Sequence, residues 1–561
     1  MRKRGNTMLL GIDVGGTFTD AVVISNAKIL AQAKYATTHG DLMEGMLAAL
    51  DLVLSGIDTS QIQRVALSTT IVTNTVVEGK TDKVALVLMP GPGLDIAKMV
   101  PQEPYIISGY VDHRGREVAR PDESEIKVVC RKAEKIANFA VVGKFAVRNP
   151  AIEQAVAAMI RQYVAPAYIT IGSEISGSLN FWRRTNSAYY NSAVWRQFGI
   201  FATAVNQALT VRGITAPVYV LKADGGTLPL DTARNYPVEA IFTGPAASVL
   251  GIMALAAPEG EAVSLDIGGT TTDIALWRDG VPLFAERGAV INGYPTAVRS
   301  FWLSSVGIGG DSLVRRQGGV LAVGPSREGP PMAVGGPKPT VSDAMIVAGI
   351  ASFGDHAKAV AAMAQLAEGE QDVKLIAKEV LQVAAGKITT AIGDMLAAKA
   401  AEPVERVADI ISSNTIQPNL VVGVGGAAAG IAPLVAAQLG VKVKVPKGAT
   451  VANAVGAAVA KPTLAVTFRA DTEERYFTVA ELGLQDKLEN KRVSLNDAEI
   501  LAKKYLAERA AQAGIGVGKM ETVYAEEFNL VRGFQTVGKI ITCQQQIKPG
   551  VFTDVAIEEG E

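Results

Sequence analysis

The sequence predicts an α/β protein built around a duplicated core. Its 561 residues leave room for about three or four domains. A composition of 48% apolar and 19% charged residues excludes a disordered chain or a coiled coil. The main observation is a motif that occurs at residues 12–20 and again at 265–273. In each copy an apolar strand runs into a Gly-Gly turn and a second strand, and this duplication indicates two related halves.

Composition and charge exclude several classes of function. The 54 Lys and Arg residues balance 55 Asp and Glu residues, which predicts no nucleic-acid partner. Two cysteines, Cys130 and Cys543, and three histidines are too few for a disulfide framework, a cysteine zinc site or a histidine-rich metal centre. Any metal chemistry should therefore use carboxylates.

No membrane span or leader is expected. The apolar run after the basic start covers only residues 8–12, which is shorter than the ~7–15 residues of a signal peptide. The longest uncharged stretch, residues 420–441, approaches the ~20 residues of a membrane span. It contains Pro433 and several glycines, so it is predicted to form a strand, a Gly-Gly turn and a helix at 428–439. We expect a soluble, cytoplasmic protein.

The repeated motif has the same residue types at the same spacing in both copies. The matched pairs are Asp13 and Asp266, Gly15 and Gly268, Gly16 and Gly269, Thr17 and Thr270, Thr19 and Thr272, and Asp20 and Asp273. After the second strand, each copy is predicted to continue through a short turn into a third, at 28–35 in the first copy and 281–286 in the second.

This spacing suits a triphosphate and a magnesium ion. A carboxylate at the end of a buried strand, Asp13 or Asp266, can hold hydrated Mg²⁺, and Asp266 can also orient an attacking nucleophile. The glycines let backbone N–H groups approach a phosphate, and the threonine hydroxyls can donate to it. Asp20 and Asp273 are interpreted as structural. An ordinary hairpin is the alternative for either copy alone.

A third glycine cluster follows a predicted buried strand at 419–424. Its turn, Gly425, Gly426 and Ala427, would let the flat face of a nucleobase rest on bare backbone. Packing of the strand against the next helix is the alternative reason for these glycines. Residues 451–460 are predicted to form a helix of small side chains, which favours close packing at an interdomain hinge over a binding role.

Two phosphate loops, an adenosine turn and a small-residue helix, in that order, resemble the superfamily of actin, sugar kinases and heat-shock chaperones. Within it, the match narrows to the hydantoinase A/oxoprolinase family. The motifs that carry this resemblance are GIDVGGTFTD at 11–20, STTIVTNTVVE at 68–78, TGPAA at 243–247, LDIGGTTTD at 265–273 and PTVSD at 339–343. The resemblance covers about residues 8–460. It implies a duplicated actin-like ATPase core of the ribonuclease H type that uses ATP and Mg²⁺.

The resemblance also implies a function. Members of this family use ATP to activate the carbonyl of a cyclic amide, of the hydantoin or oxoproline type, or of a ketone, for hydrolysis or carboxylation. Asp13 and Asp266 would then be the catalytic residues as well as the metal ligands. A hydantoinase-B-like second subunit is the expected partner. A small-molecule kinase and a non-enzymatic ATPase switch of the same superfamily are the alternatives.

The chain departs from the family pattern at three places. The stretch at 149–153 lacks the family's histidine, 222–226 reads Lys-Ala-Asp-Gly-Gly for Gln-Ser-Asn-Gly-Gly, and Asp311 replaces the last glycine of Gly-Ala-Gly-Gly-Gly-Ser. These changes leave the ATP-binding motifs intact and bear on the substrate. Asp311 is expected either to reach the ribose or the metal, or to form an Asx-turn.

Four regions are predicted along the chain. They are a first core half at 8–80, an inserted α/β region at 81–195, a second core half at 196–461 and a small C-terminal α+β appendage at 462–561. The predicted elements are strands at 84–89 and 140–147, helices at 122–137 and 496–513, and a largely helical section at 341–402. Residues 320–339 are rich in Gly and Pro and are predicted to be irregular.

Several charged residues of the insertion are candidates for substrate contacts. Asp112, His113 and Arg114 are interpreted as a solvated hairpin tip instead. Glu174 and Arg184 are interpreted as solvated surface residues. Cys130 is interpreted as a buried helix residue.

Overall fold

Strands from distant parts of the chain form the first sheet of the computed structural model, which describes residues 8–37, 42–94, 99–402, 415–489, 492–552 and 555. These strands lie in the order Thr227–Pro229, Val218–Leu221, Ile62–Thr69, Met8–Val14, Phe18–Ser25 and Lys28–Ala36. The central strand Met8–Val14 pairs antiparallel with Phe18–Ser25 and parallel with Ile62–Thr69. Two strands of this sheet, Val218–Leu221 and Thr227–Pro229, lie beyond the boundary predicted at residue 196. Both strands are short, and their sequences do not indicate which sheet they join.

The second sheet repeats this topology. Its strands lie in the order Val281–Pro282, Thr272–Arg278, Ala262–Ile267, Leu420–Val424 and Lys442–Lys444, and Leu303–Val306 also pairs with Thr272–Arg278. Its central strand again pairs antiparallel with the next strand in sequence and parallel with a later one. The predicted duplication of the α/β core is confirmed. The third strand of this copy ends at Pro282 rather than 286, because Leu303–Val306 pairs with the rest of its neighbour.

A helix of small residues, Ala452–Val459, packs closely against the first sheet. A Cβ on Gly11 would lie 2.1 Å from the carbonyl oxygen of Ala454, and a Cβ on Gly456 would lie 2.0 Å from that of Ala247. Neither position has room for a side chain, so the close packing predicted for this helix is confirmed.

The insertion folds around its own parallel sheet. The strands lie in the order Tyr168–Ile171, Asn138–Gly143, Val84–Met89 and Tyr105–Ile106, and the helices are Glu123–Lys132, Ala151–Val164, Gly172–Ile175 and Phe181–Val211. The strand predicted at 84–89 is confirmed, and Cys130 is buried as expected. The strand predicted at 140–147 begins and ends earlier, because a 3₁₀ turn forms at Ala146–Arg148.

Arg184 is fully buried, so its interpretation as a solvated residue was wrong. Its guanidinium donates to the carbonyl oxygens of Gly143 at 2.5 Å and Ser178 at 2.7 Å. Burial lowers the pKa of Arg184 to about 10, and the charge of the buried Glu153 carboxylate, which accepts from the N–H of Gly143 at 2.7 Å, partly offsets this lowering. Backbone groups and one carboxylate thus replace water around this side chain. Glu174 is half-buried.

The C-terminal appendage is an antiparallel sheet with a helix packed on it. The strands lie in the order Leu484–Lys487, Tyr476–Val479, Ala465–Asp471, Gln535–Ile547 and Met520–Arg532. The helix Leu495–Gln512 begins at a capping box of Ser494 and Asp497. It agrees with the predicted helix to within one residue at each end.

Arg114 joins the insertion to this appendage. Its guanidinium donates to Asp471 at 2.6 and 3.0 Å and to Glu473 at 2.5 Å. The interpretation of residues 112–114 as a solvated hairpin tip was therefore wrong for Arg114, although His113 is exposed. The acidic partners of Arg114 are distant in sequence, so no local sequence pattern predicts these ion pairs.

The predicted helical section of the second half is confirmed as Val341–Val347, His356–Ala364 and Val373–Ala400. The Gly- and Pro-rich segment begins with a strand, Val320–Val323, and then runs irregularly apart from a 3₁₀ turn at Met332–Val334. The remaining helices are Leu42–Val53, Ile71–Val77, Leu230–Ala233, Thr243–Leu255 and Ala428–Leu439, and the remaining strands are Tyr110–Val111, Glu117–Ala119, Val290–Ile291, Tyr294–Pro295 and Val314–Gln317. Across the described residues, every helix is too short or too polar to span a membrane.

Candidate nucleotide-binding site

Each repeated motif folds as a tight turn between two antiparallel strands. Asp13 lies opposite Asp20 across the first pair of strands, and Asp266 lies opposite Asp273 across the second. Both turns close with the equivalent backbone hydrogen bond, of 3.1 Å in the first turn and 3.0 Å in the second. The sequence repeat is therefore a repeat in backbone geometry.

The two turns face each other. A Cβ on Gly269 of the second turn would lie 3.5 Å from the methyl carbon of Thr17 in the first. The charge of Asp13 in the first turn also contributes to raising the pKa of Asp266, after burial and the charge of Asp273. The structure thus brings together the two carboxylates that the sequence predicts as metal ligands.

Burial and crowding favour the protonated form of these carboxyl groups. Burial, and then the charge of Asp20, raises the pKa of Asp13 from 3.8 to about 6. Burial, and then the charge of Asp273, raises the pKa of Asp266 from 3.8 to about 7. Oδ1 of Asp13 is buried and has no hydrogen-bond partner among the described residues. Crowded carboxylates with an unsatisfied oxygen fit Mg²⁺, a hard cation that binds oxygen ligands.

Asn453 links the small-residue helix to both carboxylates. Its side-chain amide donates to Oδ2 of Asp266 at 3.1 Å, and hydrogen bonding from Asn453 lowers the pKa of Asp13 as well. The sequence analysis assigned this helix to packing and missed Asn453. The available signal was that Asn453 is the one polar side chain in residues 451–460.

Two hydroxyl groups support the first carboxylate. Ser68 hydrogen-bonds to Asp13 and lowers its pKa. The hydroxyl of Ser68 lies 3.2 Å from that of Thr243, which itself donates to the carbonyl of Thr69 at 2.8 Å. Ser68 and Thr243 belong to motifs of the family resemblance, but sequence reasoning gave neither a role.

The threonines of the turns form two pairs. Thr17 and Thr270 are half-buried in the turns themselves, where their hydroxyls can meet a ligand. Thr19 and Thr272 are fully buried, and Thr272 donates to the carbonyl of Ile308 at 2.6 Å. Thr19 and Thr272 thus face the interior, whereas Thr17 and Thr270 lie at the turns, and contact of these threonines with phosphate stays a prediction.

The second aspartate differs between the two motifs. Asp20 is buried and forms an ion pair of 2.6 Å with Lys34, as its structural interpretation requires. Burial raises the pKa of Asp273, while a hydrogen bond with Ser305 lowers it. Asp273 also borders a cavity of about 530 Å³, so it is more than a turn residue.

The predicted adenosine turn contains two different glycines. Gly425 has φ +94°, and a Cβ there would lie 2.6 Å from Oδ1 of Asp266 and 2.5 Å from the carbonyl oxygen of Ile267. Gly425 therefore serves close packing against the second phosphate turn. Gly426 is exposed, and a Cβ there would meet no atom within 4 Å. Of the predicted contact residues Gly425, Gly426 and Ala427, Gly426 is the one with open space above it.

Asp311 lies beside the second turn. Its N–H donates to the carbonyl of Gly269 at 2.6 Å, and its Oδ2 accepts from Arg327 at 3.0 Å. A Cβ on Gly269 would lie 3.0 Å from that same carboxylate oxygen, so the carboxylate faces the turn. Arg327 was missed because its Gly- and Pro-rich segment predicts only an irregular backbone.

Family profiles match most of the chain. The hydantoinase/oxoprolinase profile matches residues 184–466, and the profile of the hydantoinase/oxoprolinase N-terminal region matches residues 9–164. The chain belongs to the hydantoinase/oxoprolinase family. The family resemblance seen in the sequence is thereby confirmed.

Other hydantoinase/oxoprolinase proteins are distant in sequence. Caprolactamase subunit alpha of Pseudomonas jessenii is 25% identical over 382 residues, which cover 62% of this chain and 55% of the relative. The acetophenone carboxylase gamma subunit of Aromatoleum aromaticum is 26% identical over 390 residues, covering 61% of this chain and 53% of the relative. The chain thus matches about half the length of these relatives.

Solved structures of two such enzymes share the fold of this hydantoinase/oxoprolinase chain. The ATP-dependent caprolactamase from Pseudomonas jessenii superposes with a TM-score of 0.72 at 20% identity, over 98% of this chain and 89% of that one. Nucleotide-free acetone carboxylase superposes with a TM-score of 0.68 at 18% identity, over 99% of this chain and 90% of that one. The insertion and the appendage therefore belong to the shared fold.

Proposed function

We propose that this chain binds ATP and phosphorylates the carbonyl oxygen of a cyclic amide or a ketone. The observation that carries the proposal is the pair of aspartate-bearing turns that face each other, with Asn453 hydrogen-bonded to Asp266. Membership of the hydantoinase/oxoprolinase family supports the reaction class. The names of the relatives, a caprolactamase and a ketone carboxylase, support the carbonyl substrate.

The turns supply the groups that a triphosphate needs. The backbone N–H groups of Gly16 and Gly269 and the hydroxyls of Thr17 and Thr270, which are exposed or half-buried, would donate to phosphate oxygens. Asp13 and Asp266 would hold Mg²⁺, and the ion, when bound, would offset the negative charge that these carboxylates and the phosphates share.

The adenosine part of the nucleotide would lie on the exposed backbone of Gly426. Asp311 is near both turns: its N–H donates to the carbonyl of Gly269, and a Cβ on neighbouring Gly310 would lie 3.4 Å from the Cβ of Ala427. We assign the Asp311 carboxylate to the ribose and the Arg327 guanidinium to holding that carboxylate in place.

Phosphoryl transfer to the carbonyl oxygen would create a leaving group. The carbonyl oxygen bonds to the γ-phosphorus while the bond to the bridging oxygen of ADP breaks, and the carbonyl carbon becomes more electrophilic. This step needs positioning and charge stabilisation more than covalent help from the protein. Hydrolysis or carboxylation would follow with a hydantoinase-B-like second subunit. The relatives named subunit alpha and gamma subunit support a complex of this kind.

The test is substrate-stimulated ADP release over a panel of lactams, cyclic imides and ketones, with product identified by mass spectrometry. We expect stimulation by a carbonyl compound that is lost in Asp13→Asn and kept in the matched control Asp231→Asn, whose side chain is 82% exposed. A stable phosphate ester as final product would identify a kinase instead. ADP release stimulated only by another protein would identify an ATPase switch.

A further inference from the structure

The second half holds a cavity of about 530 Å³ next to its carboxylate motif. Asp273 lines it, and Asp273 lies opposite Asp266 in the strand register. Phe242 also lines it and directly precedes Thr243, the residue hydrogen-bonded to the segment behind Asp13. The cavity is therefore next to the strand pair that carries Asp266. Its size falls in the range typical of small-molecule pockets.

The walls of this cavity are largely apolar. Phe242, Phe301 and Trp302 contribute aromatic faces, and Pro245 and Leu303 contribute aliphatic surface. Aromatic and aliphatic walls gain free energy by covering an apolar ligand. Asp273 and its partner Ser305 supply polar groups where the cavity meets the carboxylate motif.

The charged groups at this cavity leave no surplus of positive charge among the described residues. The lining holds the carboxylates of Asp273, Glu286 and Glu402 and the guanidinium of Arg287. The ammonium group of Lys399 pairs with Glu286 at 3.3 Å and with Glu402, and Arg183 donates to the carbonyl oxygen of Arg287. A ligand that carries its own carboxylate would therefore lose its hydration here without an unmatched cation to replace it.

We propose that this cavity binds the carbonyl compound and selects an uncharged, apolar lactam or ketone over a cyclic amide that bears a carboxylate. This inference rests on the proposed function, because it names the substrate class of the same site. Selection follows from the aromatic walls and the carboxylates at the rim, and it does not depend on ATP. It can therefore be measured when no turnover occurs.

The experiment compares two ligands that differ in one charge, 5-oxoproline and its methyl ester, with ε-caprolactam as a second neutral probe. Binding to the full chain is measured by calorimetry without nucleotide. We expect the ester and the lactam to bind at least about fivefold more tightly than the free acid. Trp302→Ala should weaken binding of the neutral probes by about tenfold.

A variant that is expected to bind the free acid more tightly provides a test that misfolding cannot imitate. Glu286→Gln with Glu402→Gln removes two rim charges and leaves Lys399 without them, so the free acid should bind about threefold more tightly. Glu370→Gln, an exposed change elsewhere, should alter neither affinity. The idea is overturned if acid and ester bind alike, if no probe binds, or if the rim variants leave the preference unchanged. Failure of ATP turnover with the binding preference intact would refute the proposed function alone.

Discussion

The side-chain amide of Asn453 donates a hydrogen bond of 3.1 Å to Oδ2 of Asp266. Asn453 lies on the small-residue helix that packs on the first sheet, whereas Asp266 ends the central strand of the second. The contact therefore holds the Asp266 carboxylate of the second sheet against the helix that packs on the first sheet. Hydrogen bonding from Asn453 also lowers the pKa of Asp13.

Asn453→Ala should lower ATP turnover by about tenfold, the cost of one hydrogen bond to a charged group. Loss of the amide also raises the pKa of Asp266, so the rate should need a higher pH to reach its plateau. A pH–rate profile separates this effect from simple misfolding. Gln207→Ala, at an exposed position of a different helix, is the control and should leave the profile unchanged. An Asn453→Ala profile equal to that of the unmodified protein would exclude the positioning role.

The repeat made the core predictable from sequence. Identical residues at identical spacing predicted both turns, and the apolar strands before them predicted the sheets. Asn453 and Arg327 could not be predicted in this way, because each acts through one contact to a residue far along the chain. The buried ion pair of Arg114 escaped prediction for the same reason. Local patterns report periodicity, and contacts across domains leave no periodic trace.

Asp266→Asn should stabilise the ligand-free protein at pH 8 while abolishing Mg²⁺-dependent ATP turnover. The folded-state pKa of Asp266, about 7, lies above the ordinary value of 3.8. Such a group supports folding fully at low pH, and its contribution is lost as pH rises towards 7. At pH 8 the buried charge therefore opposes folding, and a neutral amide removes it. Thermal denaturation should show a midpoint about 2 °C higher or more.

The same change should matter less at pH 4, where the native carboxyl group is already protonated. Asp13→Asn should also raise the denaturation midpoint at pH 8, and this gain should disappear as the pH falls through about 6. Asp231→Asn, on an exposed side chain, is the matched control and should shift neither midpoint. A lower denaturation midpoint for Asp266→Asn at pH 8 would contradict the conclusion that the charge of Asp266 opposes folding at this pH.

Gly426→Val should weaken ATP binding without unfolding the protein. A Cβ at Gly426 meets no protein atom within 4 Å, so the added side chain occupies only the space assigned to the nucleobase. Calorimetry should show a larger loss of affinity for ATP than for pyrophosphate. Equal losses for both ligands would mean that no base lies there. Gly425→Ala should instead lower thermal stability, because its Cβ would strike Asp266 and its φ of +94° suits only glycine.

Arg114→Ala should destabilise the protein by about 3 kcal/mol, because it removes the bidentate partner of the buried Asp471 carboxylate and leaves that carboxylate with Arg469, at 3.9 Å, as its ion-pair partner. The side chain of Asp471 is 0% exposed, and that of Arg114 is 10% exposed. Arg120→Ala is the matched control, since Arg120 is 88% exposed and pairs with Glu117 at the surface. Chemical denaturation should show a loss for the first variant and almost none for the second. Equal stabilities would show that the insertion and the appendage hold together by other contacts.

The purified chain alone should hydrolyse ATP weakly and form little product. The described cleft supplies carboxylates, hydroxyls and backbone N–H groups, which suffice to position a phosphoryl group. Opening or carboxylating the activated carbonyl needs a further base or activated water. Of the histidines that could act as such a base, His113 and His356 are exposed on the surface, and His39 lies outside the described residues. We therefore expect the second step to depend on another protein.

A mass balance of ATP consumed against product formed tests this dependence. With a substrate from the panel, the chain alone should release ADP in excess of ring-opened or carboxylated product. Adding a hydantoinase-B-like subunit should bring the ratio close to one, because the activated carbonyl is then captured before it reverts. Asp13→Asn with the same subunit should form no product, which shows that the phosphoryl transfer belongs to this chain. Stoichiometric product from the chain alone would establish instead that its own residues complete the reaction.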